Sequence, residues 1–309
     1  MSRRTTRRAS AAVTALALFL FAQGASAQGY RAPRASDGNP DLQGVWTNAS
    51  LTVLERPPEL SAGRAFSEAE AARIEARAAE LNATLAGGFS GNEGDRARRL
   101  ARVAGEPRTS FITSPANGRI PPVIASARAR PPFERQVVEN LFDNPESLSL
   151  DLRCIMPYAP VSGPVMLPSL ANSLYQIVQT REAVAISTEL FHDVRIIPIG
   201  AGHGPLPRWM GDSVGRWEGE ELVVETVGFH PEQSLYGADP SRLKVTERFS
   251  RVAPDRLLYR FTLEDPTTWD RPWSGEYEFS ATRAPLYEYA CHEGNRFLPD
   301  LLAAERARE

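Results

Sequence analysis

Five side chains in this 309-residue sequence are the candidates for proton transfer: His192, Glu225, Glu247, His292 and Glu293. Histidine is the side chain most readily set as acid or base near neutrality, and a carboxylate beside it can orient and charge it. His192 stands in the densest polar cluster, Phe191-His192-Asp193-Val194-Arg195. Successive residues of a strand point to opposite faces, so His192 and Asp193 cannot pair with each other without a bulge. The partner of His192 must come from elsewhere, and Glu225 and Glu247 are the candidates. Each alternates with apolar residues, Glu225 with Val223 and Val227, Glu247 with Val245 and Phe249. A carboxyl among apolar walls has its pKa raised and can donate a proton near neutrality. The competing reading places both at the surface, paired with arginines such as Arg248 or Arg260. Arg195 is the candidate for steadying an anion. Tyr287-Glu288-Tyr289-Ala290-Cys291-His292-Glu293-Gly294-Asn295 reads as a strand and its exit, from which His292 and Glu293 would project over the same rim as His192.

Other motifs carry less. Gly211-Asp212-Ser213-Val214-Gly215 matches a nucleophile elbow in letters, and Ser213, Asp265 and His292 follow the matching order. The elbow needs a strand before it and a helix after it, whereas turn residues and a strand follow here, so the string reads as a turn. The histidines lack the H-x-H or H-E-x-x-H spacing of a metal site, and no metal or organic cofactor is expected. Gly200-Ala201-Gly202-His203-Gly204-Pro205 lacks the ending of a phosphate loop and reads as a flexible loop on which His203 could cap a pocket. Trp209 and Trp217 fall near turns or strand ends, where an indole can line a ligand mouth. With Asp193, Arg195 and Tyr259 these complete the candidate ligand contacts.

The elements that must position these residues change along the chain. Residues 28–170 are punctuated by Pro, Gly and Asn and read as a long irregular wrapping segment. Within it a helix is predicted over 67–86, with Ser67 and Glu70 as a capping box and Gly87-Gly88 as the stop, and a short helix near 95–103. Gly44-Val45-Trp46 could open a strand. Residues 171–309 show period-two patterning in eight runs: 174–180, 183–188, 194–199, 221–227, 243–252, 256–264, 275–282 and 286–291. In 256–264, Leu257, Tyr259, Phe261 and Leu263 share one face and Arg260, Thr262 and Glu264 the other. Consecutive strands with short turns predict a mainly β fold, an antiparallel meander forming a closed or nearly closed, calycin-like barrel with room for one small ligand. Residues 28–309 are expected to be a single domain.

Residues 1–27 combine a basic start, a 12-residue apolar run and an Ala25-Ser26-Ala27 cleavage site, the pattern of a general secretory signal cut after Ala27. The run is too short to span a bilayer, and no integral membrane segment is expected after its removal. The location expected is therefore periplasmic or secreted. In an oxidising compartment two lone cysteines, Cys154 and Cys291, most simply form one disulfide. The chain has 35 basic and 38 acidic residues; without the four arginines of the leader it has 31 basic, a net of -7. That balance argues against nucleic acid as a partner.

His192-Asp193-Val194-Arg195-Ile196-Ile197-Pro198, Trp209-Met210-Gly211-Asp212-Ser213, Gly215-Arg216-Trp217-Glu218-Gly219, Asp265-Pro266-Thr267-Thr268-Trp269 and the 287–295 string together resemble a widespread, uncharacterised family of exported bacterial proteins. The resemblance covers roughly residues 37–309 and implies an envelope location and a single unit, with no reaction attached. A likeness to lipocalin barrels rests only on the strand pattern and Gly44-Val45-Trp46. The expectation is a small-molecule-binding barrel for an apolar or amphipathic ligand. With His192 and a glutamate it would be a cofactor-independent lyase, isomerase or hydrolase. The alternatives are a ligand carrier and a structural envelope protein.

Overall fold

The computed structural model describes residues 30–60, 63–85, 98–128, 145–157, 162–168, 173–233 and 235–307; the leader expected over 1–27 lies outside them. Twelve strands occur in chain order: β1 (Gly44–Thr47), β2 (Arg102–Val103), β3 (Glu106–Pro107), β4 (Ile112–Ser114), β5 (Leu174–Gln179), β6 (Ala183–Thr188), β7 (Val194–Pro198), β8 (Asp212–Glu218), β9 (Glu221–Val227), β10 (Lys244–Ala253), β11 (Arg256–Glu264) and β12 (Trp273–Ala281). The helices are α1 (Glu68–Leu85), α2 (Ala125–Arg128) and α3 (Phe297–Arg306). Arg31–Glu309 forms one compact unit.

Nine strands build one antiparallel sheet in the order β7-β6-β5-β1-β12-β11-β10-β9-β8, with β4 added beside β12. Its two ends meet where Ile199, just past β7, bridges Gly215 of β8, so the sheet curls into a nearly closed barrel. Gly200 donates its N–H to Gly215 O at 2.8 Å across this seam. The meander alone would leave β5 and β12 as raw edges, each a row of unpaired N–H and C=O groups. β1 lies between them and pairs with both, Trp46 opposite Tyr175 on one side and Ala281 on the other. The barrel is therefore not built from 171–309 alone, as the sequence pattern suggested. Its ninth strand comes from the wrapping segment, at the Gly44-Val45-Trp46 string that could open a strand.

The period-two patterns place the other strands to within two residues, with two exceptions. Gly211 to Gly215 is not a turn: Asp212–Glu218 is strand β8, joined to β9 by a two-residue turn at Gly219-Glu220. The expected strand over 286–291 is irregular chain. The two neighbours of β12 in the sheet, β1 and β11, are already in place, and Pro285 brings no N–H to a further ladder. Helix α1 carries the expected capping box, with Ser67 N–H to Glu70 Oε2 at 2.8 Å and Glu70 N–H to Ser67 Oγ at 3.3 Å. The short helix near 95–103 is not present over its described part, where β2 instead pairs with β3. Helix α3 was not foreseen. Cys154 and Cys291 form a disulfide.

Inward side chains of β10, β11 and β12 stack into an aromatic layer. Tyr259 lies at its centre, 5.1 Å from Phe249, 5.8 Å from Phe261 and 5.5 Å from both Tyr277 and Phe279 between ring centroids. All five rings are fully buried. The lumen is thus filled along this wall rather than hollow, because rings of this size interlock at the diameter such a barrel provides.

The seam gives a test of how the barrel closes. A Cβ on Gly215 would stand 2.9 Å from both Ile197 Cγ2 and Ile199 Cδ1. Gly215→Ala is expected to destabilise by about 1–3 kcal/mol through overpacking, read as a lower urea midpoint. An unchanged midpoint would show that β7 and β8 need not approach this closely.

Candidate functional site

Alternation along β7 sends Arg195 and Ile197 inward and leaves Val194 and Ile196 outside. Alternation along β10 does the same for Val245, Glu247 and Phe249. Arg195 and Glu247 therefore meet across the lumen, although β7 and β10 are not neighbours in the sheet. Arg195 Nη2 donates to Glu247 Oε2 at 2.8 Å, with side chains 3% and 0% exposed. The Tyr259 hydroxyl donates to the other carboxylate oxygen, Oε1, at 2.8 Å. Arg195 Nε and Nη1 are buried with no hydrogen-bond partner among the described residues, as is Trp273 Nε1. Burial pushes the hydroxyls of Tyr259 and Tyr277 well above the usual phenol range, so both remain protonated donors.

Residues 162–168 run into the lumen against this centre. Val165 and Met166 are fully buried. Met166 donates its N–H to Tyr259 Oη at 3.1 Å, and its carbonyl accepts from Tyr277 Oη and from Asn48 Nδ2, the latter at 3.2 Å. Gly163, at φ +97°, lies so close to Arg195 that a Cβ there would stand 2.6 Å from Nη1. At the rim, Ser162 Oγ is 3.3 Å from Thr188 Oγ1. Asp193, two residues before Arg195 and on the same face of the strand, carries a buried Oδ2 with no partner among the described residues. Burial pushes the Asp193 carboxyl above its usual range, against the opposing effects of a hydrogen bond from Ser162 and the charge of His192.

The β6–β7 connection is a single helical turn, Leu190–His192, in which Phe191 (φ 59°) and His192 (φ 38°) are both left-handed. Such residues are sparsely populated and persist only where the surroundings hold them. Here Phe191 stacks on Tyr289 at 4.9 Å, and His192 Nδ1 lies 3.0 Å from Tyr289 O. His192 is exposed, and the left-handed turn directs its ring to Tyr289 O rather than into the lumen. It is not the partner of Glu225 or Glu247, and that expectation is corrected. His292 and Glu293 are exposed in a turn after the disulfide. Among the described residues, no hydrogen bond or ion pair joins either of them to His192 or to the lumen.

A second polar cluster lies on the outer wall. Glu225 faces outward on β9, and His203 Nε2 lies 3.3 Å from its Oε1. His203 Nδ1 lies 3.1 Å from Asp212 Oδ2, which also accepts Gly204 N–H at 2.8 Å, while Arg208 pairs with Oδ1 at 3.3 Å. Both ring nitrogens face carboxylates, so His203 pins its loop to the wall and has no free nitrogen for a ligand. Among the described residues no group of histidine, cysteine and carboxylates could hold a metal. Trp209 stacks on His230 at 3.7 Å, and Trp217 packs part-buried against the core. Ser213 points inward to Thr226 at 2.8 Å, on the strand face opposite Asp212.

Of the residues singled out in the sequence, the barrel thus brings Arg195, Glu247 and Tyr259 together, with Asp193 beside them. Glu225, His203, His192, His292, Glu293, Trp209 and Trp217 lie elsewhere. Asn48, Tyr277, Ser162, Gly163 and Met166 were missed. Tyr277 alone had a signal, sharing a period-two face with Phe279. No protein-family model, curated protein or solved structure matches the chain.

Two outcomes are expected from this geometry. Arg195→Met leaves the Glu247 carboxylate buried without its counter-charge and should cost about 3–5 kcal/mol. The double variant Arg195→Met with Glu247→Leu should recover much of that in urea titrations; losses that simply add would show the two charges are not coupled. For Asp193, a raised native pKa means the folded state binds the extra proton. Its contribution therefore becomes unfavourable as pH rises from the unfolded carboxyl pKa through the folded one. Asp193→Asn should be more stable than the parent at neutral pH and lose that advantage near pH 3–4, measured as midpoint against pH.

Proposed function

We propose that this is an exported small-molecule-binding barrel whose ligand site is the Arg195 end of the lumen. One observation carries the reading: two guanidinium nitrogens of Arg195, Nε and Nη1, lie in the interior without acceptors among the described residues. Buried donors are paired in nearly every folded protein, and an unpaired one costs about 1–3 kcal/mol. A ligand oxygen reaching Nε or Nη1 would remove that cost. Asn48 and the tyrosine hydroxyls offer further polar contacts among aromatic walls, the usual make-up of a small-ligand site. Export is supported by the A-x-A leader and by the resemblance to exported bacterial proteins. The Cys154–Cys291 bond fits an oxidising compartment. No described helix is long and apolar enough to cross a membrane.

A second reading is favoured by Asp193. Its raised carboxyl sits two residues from Arg195 on the inward face, so a ligand oxygen held by the guanidinium would lie near a proton donor. The reaction would be a cofactor-independent elimination, isomerisation or hydrolysis.

The test is a panel of lipids, terpenoids and modified sugars, screened by thermal unfolding and native mass spectrometry. A true ligand at one hundred times its Kd should stabilise the parent by about 2.7 kcal/mol and stabilise Arg195→Lys less. Turnover lost in Asp193→Asn would establish the enzyme, and tight binding with unchanged ligand would establish the carrier. Equal stabilisation of parent and Arg195→Lys by every hit would sink the site.

A further inference from the structure

We infer that the lumen is a receptor for an uncharged N-acyl amino amide with an apolar side chain, and that residues 162–168 occupy it as the chain's own ligand. This rests on the lumen being a binding site, and it names what that site takes and what regulates it.

The groups around Met166 do not belong to a sheet. Among the described residues, no backbone hydrogen bond joins 162–168 to any strand; the one within the segment is Leu167 N–H to Val165 O. Met166 N–H and C=O are instead read by side chains from three places in the barrel, Tyr259 on β11, Tyr277 on β12 and Asn48 just past β1. The direction of each bond is fixed. An ionised carboxylate only accepts, so the Tyr259 hydrogen is committed to Glu247 and its lone pair faces the ligand as an acceptor for N–H. Tyr277 donates its hydrogen to the carbonyl, and Asn48 Nδ2, which also lies 3.1 Å from the hydroxyls of Tyr175 and Tyr277, turns a donor to the same oxygen, so the pair favours a carbonyl. One N–H and one C=O flanking an apolar side chain is the pattern of an N-acyl amino amide.

Charge narrows the class further. Arg195 and Glu247 cancel in the lumen. An ionic ligand would bring an unpaired charge there, whereas a neutral amide adds none. The segment that fills the site holds Arg195 imperfectly. Gly163 presses against Nη1 without offering it an acceptor, and does so in a left-handed conformation. A free amide with a further acceptor would satisfy that nitrogen. The segment therefore behaves as an internal competitor, and apparent affinity is lowered by the fraction of molecules in which it is seated.

The test uses N-acetyl-L-methionine methylamide as the probe, with binding read by calorimetry. In Met166→Asp the segment carries a charge that the lumen rejects. In Gly163→Ala the new Cβ collides with Arg195. Both leave Tyr259, Tyr277 and Asn48 intact and should bind the probe at least about tenfold tighter than the parent. Closing the segment onto the rim with Ser162→Cys and Thr188→Cys should abolish binding, and N-acetyl-methionine with its free carboxylate should bind far less well than the methylamide. Folded variants that bind no better than the parent would overturn the inference. Should both loosened variants fail to fold, hydrogen exchange in the parent decides. A Met166 amide exchanging much faster than the amides of Tyr259 and Tyr277 supports a displaceable segment, and exchange only on global unfolding overturns it. A panel ligand that depends on Arg195 but binds parent and loosened variants alike would overturn this inference while leaving the proposed function standing.

Discussion

The polarity of the lumen depends on a single ion pair. Arg195 and Glu247 come from strands that are not neighbours, and their contact spans the interior where dispersion between apolar side chains would have been the cheaper solution. Glu247 accepts from Arg195 on one oxygen and from Tyr259 on the other, so the Tyr259 hydrogen is spent there and the group that meets its lone pair is an N–H. A charge pair across the lumen thus sets, through Tyr259, the donor and acceptor pattern that Met166 meets. Replaced by hydrocarbon of equal volume, the barrel would still close, but the inside would no longer distinguish one end of an amide from the other.

Acid–base chemistry is distributed in a way the residue types did not suggest. His192, His203 and His292 are all engaged or exposed outside the lumen. Inside it, the groups that can move a proton are carboxyls and phenols, and burial keeps the phenols protonated. Among the described residues, Asp193 at the rim is the carboxyl that burial pushes upward.

How much of this was legible in the sequence follows from the range of each interaction. Leu257, Tyr259, Phe261 and Leu263 declare their common face because alternation is local, and so does Glu247 between Val245 and Phe249. Glu225 has the same kind of neighbours yet faces outward. Its strand is buried on both sides, Val223 outside and Val224 inside, and alternation cannot mark a face when both are apolar. Strand β8 was hidden by the turn-forming letters of Gly-Asp-Ser-Val-Gly, which tertiary pairing with β9 overrides. The Arg195–Glu247 contact joins residues far apart in sequence and could not be paired from either segment. Met166 was the hardest to see, since the barrel recognises its backbone, which every residue shares.

The position of β1 has a kinetic consequence. Its hydrogen bonds run to β5 on one side and to β12, near the far end of the chain, on the other. The cylinder cannot shut until β12 is available to pair with β1, and a pairing so remote in sequence forms late and slowly.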